Sequence, residues 1–375
     1  MIGFPSDGGL VAGGVTGTTA LGLSAVWRCL DILSNGVSQL EWREMKGTLE
    51  WPTSRLVKRP MAEATRREWV NYVVCALALF DIEYLLRVGG DDAEGVPLSL
   101  WPLDPQSVMP SGGAYFSSVL PFVTPAAYWV GTAKVEPERI VILRRSPMPG
   151  VSEVLGGVLR LARIKFAEAM AADGYSSRYW QAGGPTTRAL ETDANLGPRA
   201  QELSDRWHEA RARGPDHVPV MDNGLKFKEY GVDPTAEAAV EARRELVADI
   251  GRYFGIPTHT LNAPAGDTET YASTESGNQD LVRYTFQNYI GAIQDAISDE
   301  LPGGRVMRMD TWPLIAGTQL AQAQAYQLAT GGKAWLDVQE VRDRDRLPPI
   351  EDPDTLNPPA PAPVIAGGSN GNDSR

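Results

Sequence analysis

The stretch from Ala236 to Leu301 constrains the fold more than any other part of the chain, because its apolar residues recur at helical spacing on both sides of one break. In EARRELVADIGRYFGIPTHTL, Leu246, Ile250, Tyr253 and Phe254 recur three and four residues apart, which places them on one helix face. Gly255 and Pro257 then stop the helix. Glycine accepts the left-handed conformation just past a helix end, and proline cannot continue the hydrogen bonding. After a polar loop, a second helix is expected from about Tyr271 to Leu301, with Val282, Phe286, Tyr289, Ile293 and Ile297 as its apolar stripe. At about 1.5 Å per residue it would span roughly 45 Å, more than a small domain needs. Two long helices joined by a short exposed loop describe a framework part better than the wall of a cleft.

The 375 residues are enough for a large core or for two or three subdomains. With 43% hydrophobic and 22% charged residues the composition is that of a soluble globular protein. A formal net charge of −12 argues against tight nonspecific nucleic-acid binding, which calls for a basic surface. Cys29 and Cys75 are the only cysteines and are expected to be reduced and mostly buried. The first twenty residues lack both the basic start and the apolar run of a secretory signal. The most hydrophobic run, Tyr72 to Phe80, is bracketed by Asn71 and Asp81. It falls well short of the roughly twenty residues a bilayer span needs, so it reads as a core helix and no membrane partner is expected.

Along the chain, residues 1–20 and 351–375 are Gly- and Pro-rich without periodicity and are expected to be disordered. Ala25 to Leu40 reads as a helix with the stripe Val26, Leu30, Leu33 and Val37, and Arg67 to Phe80 as a second. Strands are expected at Glu83–Val88, Pro97–Trp101, Ala126–Val130 and Ile140–Arg144, with a hairpin turn at Gly89–Gly90–Asp91–Asp92. This mixture predicts an α+β fold for the first 150 residues or so. Ser152 to Trp180 is mostly helical, its apolar face made of Val154, Leu155, Val158, Leu161, Ala162 and Ile164, and Gly183–Gly184–Pro185 ends it. A compact piece follows: strand Thr187–Glu191, helix Pro198–Arg213, and strands His217–Met221 and Leu225–Tyr230 around an Asn223–Gly224 turn. Arg305–Asp310 is strand-like, and Gln319–Ala329 and Val338–Arg346 are helical.

No catalytic constellation stands out. His208, His217 and His259 have no metal-ligand spacing, and the cysteines form no CxxC pair. Gly13–Gly14–Val15–Thr16–Gly17 is not a dinucleotide fingerprint, and Gly331–Gly332–Lys333 lacks the upstream glycine of a phosphate-binding loop. No cofactor or metal is therefore expected. A cleft enzyme could be built only from Asp267, Glu269 and His259, and charged residues solvating an exposed loop account for them more simply.

Several segments share the order and character of one family. Arg244–Glu245 and Ile250–Gly251–Arg252–Tyr253–Phe254–Gly255–Ile256–Pro257, then Tyr271–Ala272–Ser273–Thr274–Glu275, resemble the portal proteins of tailed bacteriophages, in particular those of long-tailed phages related to HK97. Ser24 to Leu30 resembles the first wing helix, Leu100 to Val108 the "L-x-P-L-x-P-x-x-V" strand and turn, and Tyr179 to Pro185 the exit from the stem helix. Leu336 to Arg342 with Leu347–Pro348–Pro349 resembles the crown motif, although Asp337 and Gln339 replace the usual Thr and Asn. At Phe80–Asp81–Ile82–Glu83–Tyr84 relatives often carry Gly-Asn-Ala-Tyr.

The resemblance implies a ring-forming fold with these parts: wing 21–151, stem helix 152–184, clip 185–230, second stem helix 231–257, tunnel loop 258–270, long helix and wing return strand 271–312, and helical crown 313–350. It implies a non-enzymatic subunit of a ring of twelve at one capsid vertex of the virion, assembled in the host cytoplasm. Double-stranded DNA would pass through it, and its partners would be the large terminase, a head–tail adaptor and the major capsid protein or scaffold. A head–tail junction ring other than the portal is the alternative structural role. In the tunnel loop, Thr258, His259, Thr260, Leu261, Asn262, Asp267 and Thr268 would face DNA, with Leu261 and Asn262 at the tip. Lys226, Lys228, Arg243, Arg244 and Arg252 would line the channel or clip, or else bridge to neighbouring subunits. Arg206, Arg211 and Arg213 on the clip helix would meet the docking partners, unless they are ordinary solvated charges.

Overall fold

Two amphipathic helices organise the core of the chain, as the computed structural model shows. It describes residues 15–111, 124–147, 157–181, 187–191, 201–202, 205–206, 209, 226–230, 237–261, 279–315, 319–331, 335–344 and 347. After a single turn, α1 (Gly17–Ala20), helix α2 (Ser24–Ser38) buries the expected stripe Val26, Leu30, Leu33 and Val37. A short helix α3 (Arg55–Lys58) precedes α4 (Arg66–Phe80), which packs on α2 through Val70, Val73, Val74 and Leu77. The start of α4 is written locally. Thr65 accepts from the Glu68 amide at 3.2 Å and Glu68 accepts from the Thr65 amide at 2.8 Å, a reciprocal cap that the spacing Thr-x-x-Glu permits. Its end is unusual: Asp81, with φ of 61°, is the one non-glycine residue in the left-handed region among those described.

Three small antiparallel sheets flank these helices. The first joins β1 (Glu41–Lys46) to β2 (Leu49–Trp51) on one side and to β11 (Arg305–Asp310) on the other, so residues far apart in sequence complete one sheet. The second has the order β4 (Pro97–Leu103), β3 (Ile82–Asp91), β8 (Ile140–Arg144). The third holds β5 (Val108–Pro110), β6 (Tyr128–Val130) and β7 (Ala133–Val135). The hairpin turn expected at Gly89–Asp92 sits further on. Gly89 and Gly90, with φ of 87° and 77°, belong to β3, where the register shifts between Val88 and Asp91. The turn itself is closed by Asp92, whose amide donates to the Val96 carbonyl at 2.8 Å. The glycines make a bulge rather than the reversal.

Helix α5 (Val158–Leu161) breaks at Ala162 before α6 (Arg163–Gln181). The buried face differs from the expected one. Val158, Ala162, Phe166 and Ala169, spaced four, four and three, point into the core with Leu159, whereas Leu161 and Ile164 lie off that face and are exposed; Val154 and Leu155 lie outside the described residues. Strands β9 (Thr187–Glu191) and β10 (Lys226–Tyr230) pair antiparallel, with Lys226 opposite Glu191 and Lys228 opposite Ala189. Gln201, Glu202, Asp205, Arg206 and Glu209 are helical. The expected exit Gly183–Pro185, strand 217–221, turn 222–224 and the C-terminal tail 351–375 lie outside the described residues. Of the N-terminal tail expected to be disordered over 1–20, residues 1–14 also lie outside them, but Gly17–Ala20 is the helical turn α1, capped by Thr16, with Ala20 buried in the core.

Helix α7 (Glu237–Phe254) buries Ile250 and Phe254 and half-buries Leu246, but Tyr253, expected on the same face, is exposed. The long helix departs more from expectation. Residues 271–278 lie outside the described residues, and 281–286 form a π-turn leading into α8 (Gln287–Asp299). The buried residues explain the wider turn. Leu281/Val282, Thr285/Phe286, Tyr289/Ile290 and Ile293/Gln294 repeat every four residues. In a 3.6-residue helix such pairs drift around the axis, and one wider turn returns them to a single face. From that face Gln294 Oε1 and Ser298 Oγ accept from the Met309 and Met307 amides at 2.7 and 2.9 Å, covering the outer edge of β11. After a turn, α9 (Trp312–Ile315), the contacts divide the chain at residue 316. The second unit contains α10 (Gln319–Thr330) and α11 (Val338–Arg344). No helix among the described residues is long and apolar enough to cross a membrane.

Two predictions follow from this packing. A Cβ on Gly36 in α2 would lie 2.5 Å from the Phe286 ring, so Gly36→Ala should destabilise the fold by about 1–3 kcal/mol in urea unfolding. Glu83 of β3 is fully buried, and its carboxyl oxygens have no hydrogen-bond partner of good geometry among the described residues. Burial pushes its pKa up to about 10; the Leu103 backbone offsets part of this, and Asp104 adds to it. The folded chain then holds a proton that the unfolded chain releases above its ordinary value of 4.5, so stability falls as pH rises from there towards 10. Glu83→Gln should flatten that slope and raise stability at pH 8 by about 1–3 kcal/mol, read from urea midpoints at pH 5 and 8.

Candidate functional site

The junction where α7 ends and the π-turn begins brings the two flanks of residues 262–278 together. Gly255, with φ of 72°, takes the left-handed position past α7, and the Ile256 amide donates back to the Gly251 carbonyl at 2.9 Å. Thr258–Leu261 then makes one 3₁₀ turn that returns Leu261 to the core. There it lies so close to α7 that a Cβ on Gly251 would be 2.8 Å from its Cδ1. On the other flank, Thr285 Oγ1 donates to the Gly255 carbonyl at 2.5 Å. The carbonyl that a helix end leaves without an intrahelical partner is thus satisfied from across the junction.

Ion pairs cross between α6 and α7. Lys165 meets Asp249 at 3.6 Å and Arg243 meets Asp173 at 2.6 Å, a pairing order that reflects the antiparallel run of the two helices. Asp249 also holds Arg252 one turn on. These groups are half-exposed, and each such pair contributes about 0–1 kcal/mol. A buried network stands further back. Arg145 pairs with Asp81, donates to the Tyr289 hydroxyl at 3.0 Å and stacks on its ring. Burial raises the Asp81 carboxyl, with Arg145 pulling it back, and pushes the Tyr289 phenol up to about 12. Glu44 and Arg305, both buried, pair at 2.9 Å across β1 and β11.

The expected site residues divide accordingly. Thr258, His259 and Thr260 are half-buried in the 3₁₀ turn. Leu261 is a correction: it is an anchor in the core and not the tip of a loop, because the turn folds it under α7. Asn262, Asp267, Thr268 and Glu269 lie outside the described residues, as do Arg211 and Arg213. His259 is therefore not shown beside the two acids. Arg243 and Arg252 are engaged in pairs within the chain, while Arg244 is exposed with no ion pair among the described residues. Lys226 and Lys228 share one side of β10 by register, and Arg206 pairs with Glu202 at 2.9 Å along its own helix. Cys29 is buried and Cys75 half-buried; burial lifts both thiols, Cys29 to about 12, which leaves them unreactive. No group of acidic, His and Cys side chains suited to a metal occurs among the described residues.

The Thr285 bond was not foreseen from the sequence, although a threonine beside the apolar stripe was a legible signal for one. Thr285→Val should keep the volume, leave the Gly255 carbonyl unpaired and lower stability by about 1–2 kcal/mol in urea unfolding, with Thr285→Ser staying near the parent.

Comparison with known proteins places this arrangement. The family model described as "Phage portal protein" matches residues 24–345. The portal protein of Enterobacteria phage HK97 is 24% identical over 208 residues, covering 52% of this chain and 49% of that protein. The probable portal protein of Streptomyces phage phiC31 is 21% identical over 137 residues, 36% of this chain and 30% of that one. These alignments span half or less of either relative's length. Among solved structures, an HK97-family phage portal protein from Corynebacterium diphtheriae has a TM-score of 0.61 at 17% identity, covering 81% of this chain and 98% of that chain. A chain from the neck of a gene transfer agent particle, computed with C12 symmetry, has a TM-score of 0.59 at 19% identity, with 89% and 92% covered. The fold is shared across most of the molecule, and the chain belongs to the phage portal protein family.

Proposed function

We propose that the chain is one subunit of a homo-oligomeric ring, with twelve copies the expected number, at one capsid vertex of a virion-like particle. Double-stranded DNA would pass through the ring during packaging and ejection. The single observation behind this reading is the fold shared across most of the chain with a structure from a particle neck of twelvefold symmetry. The family is structural and not catalytic, and a cleft enzyme has no support. A junction ring other than the portal likewise has nothing in its favour once the family is known.

Within this reading the chain supplies geometry rather than chemistry. With a net charge of −12 per subunit, a ring is acidic enough to keep a duplex sliding and not adhering. The tunnel loop is best assigned to residues 262–270, because Leu261 is tethered to the core while Asn262 begins the segment beyond the anchor. Asn262, Asp267 and Thr268 are then its DNA-facing residues: Asn262 and Thr268 can donate weak hydrogen bonds that release easily, and the Asp267 carboxylate, an acceptor only, repels the phosphates and keeps the contact loose. The paired strands β9 and β10, with Arg206, Arg211 and Arg213 nearby in sequence, are the clip that would dock the large terminase and later the head–tail adaptor.

Two measurements test this. The purified 40.6 kDa chain should assemble into an annular particle of several hundred kilodaltons by mass photometry and negative stain; a persistent monomer at high concentration would overturn the reading. Replacing residues 263–270 with a short Gly-Ser linker should leave that assembly intact while lowering the DNA packaged per particle. Unchanged packaging would show that the loop does not touch the duplex.

A further inference from the structure

The stretch from Lys46 to Glu68 runs against the charge of the rest of the chain. The whole sequence has 47 acidic and 35 basic residues, yet this stretch holds six cations, Lys46, Arg55, Lys58, Arg59, Arg66 and Arg67, against three acids. None of the six has an ion-pair partner among the described residues. Their contacts are with neutral groups. Arg59 Nε donates to the Ala64 carbonyl at 3.1 Å and Arg67 to Asn35 Oδ1 at 3.2 Å, while Lys46 and Arg66 lie over the Trp51 and Trp42 rings. Two of the acids are engaged elsewhere: Glu50 reaches Arg43 at 4.0 Å, and Glu68 completes the cap of α4. Glu63 is left, and it is exposed.

The fold gathers these cations on one side of the first sheet. Trp42, Glu44 and Lys46 alternate along β1 and so share a side, and Trp51 stands opposite Glu44 on β2. The Ser54 amide donates to Glu44 Oε2 at 2.7 Å, which ties the start of α3 to that same side. Leu56 and Val57 point into the core, so Arg55, Lys58 and Arg59 are turned outward. Arg66 covers Trp42 from there, and Arg67 follows it. Both arginines occupy the first turn of α4, where the helix dipole favours acids, so their charge does not serve the helix. The side chains of α3 leave no apolar group exposed. Apolar exposure nearby is confined to the hairpin, at Leu49 and at Trp51 beneath Lys46. A protein partner calls for an apolar centre, whereas phosphates call only for cations.

We propose that this basic face, formed by α3 with the starts of α4 and the β1–β2 hairpin, binds the phosphate backbone of double-stranded DNA at a place separate from the tunnel loop. The contact carries no sequence preference, because cations on phosphates position a duplex without reading it. The acidity of the remaining surface keeps the duplex from adhering elsewhere, so it meets the subunit at this face. The choice of a duplex over other polyanions rests on the function proposed above.

The test uses the full chain and a labelled mixed-sequence duplex of about thirty base pairs, with anisotropy measured over a range of salt concentrations. The parent should bind at low salt and lose affinity steeply as salt rises. The double variant Arg55→Gln/Lys58→Gln should melt with the parent, bind about tenfold more weakly at low salt and show a log–log salt slope shallower by about 2, one phosphate contact for each cation removed. Arg55→Lys keeps the charge and should match the parent. The chain with residues 263–270 replaced by a Gly-Ser linker should also bind the duplex as the parent does; loss of binding there would move the contact to the loop and overturn the proposal. A parent that does not bind the duplex, or an unchanged slope in the double variant, would overturn it as well. So would binding of a polyglutamate peptide that the duplex does not displace, which would make an acidic protein the occupant. Mass photometry of the same samples separates this contact from the ring: duplex binding that depends on Arg55 and Lys58 in a chain that stays monomeric removes the ring alone, and ring assembly without such binding removes the contact alone.

Discussion

The close crossing of three helical segments, each made possible by a glycine or filled by a single side chain, fixes the position of everything around residues 262–278. Gly36 admits the Phe286 ring between α2 and the π-turn, and Gly251 admits Leu261 beneath α7. Gly255 turns the chain and offers its carbonyl to Thr285. Close packing of this kind is bistable or rigid, not continuously adjustable, so an extra methyl at a crossing moves a whole helix. The described flanks of that segment, Leu261 and Gln279, are thereby held at a defined separation.

Behind that junction, polar groups do work that apolar packing cannot. The edge of β11 would expose unpaired amides, and α8 meets them with Gln294 and Ser298. The same helix presents Tyr289 to Arg145, which is paired in turn with the left-handed Asp81 at the end of α4. One helix thus ties the closing strand of one sheet to the second sheet and to the first helix pair. Such satisfied polar contacts specify a unique arrangement, because any slip leaves a buried group unpaired. Glu83 departs from this: its burial is tolerated by keeping its proton.

Much of the fold was legible because the burial pattern is local. The stripe of α2, the apolar face of α8 and strand Arg305–Asp310 appear where periodicity predicts them. The misplaced residues have a simpler cause: spacing marks an apolar arc, and only what lies opposite decides how far it is covered. Leu161, Ile164 and Tyr253 sit at or beyond the edge of their arcs and face solvent, while Val158, Ala162, Ile250 and Phe254 at the centre are buried. At 281–286 the turn itself widens. Strands β1, β2, β5 and β7 were missed: they are short or, like Glu44 in β1, have a charged residue buried by a partner hundreds of residues away. The candidate loop was legible as a break between helices, but its anchor was not, since Leu261 is apolar in a polar run and only the fold shows that it turns inward.

The sequence by itself determined the helices, their stops at Gly255 and Pro257, the acidic balance and the family, since each depends on spacing, backbone chemistry or the order of motifs along the chain. The tertiary structure alone decided which of two equally spaced faces is buried, where the helix widens to a π-turn, and which charges are already paired. Those depend on what lies opposite each side chain, and contacts between residues such as Glu44 and Arg305 carry no trace in local sequence.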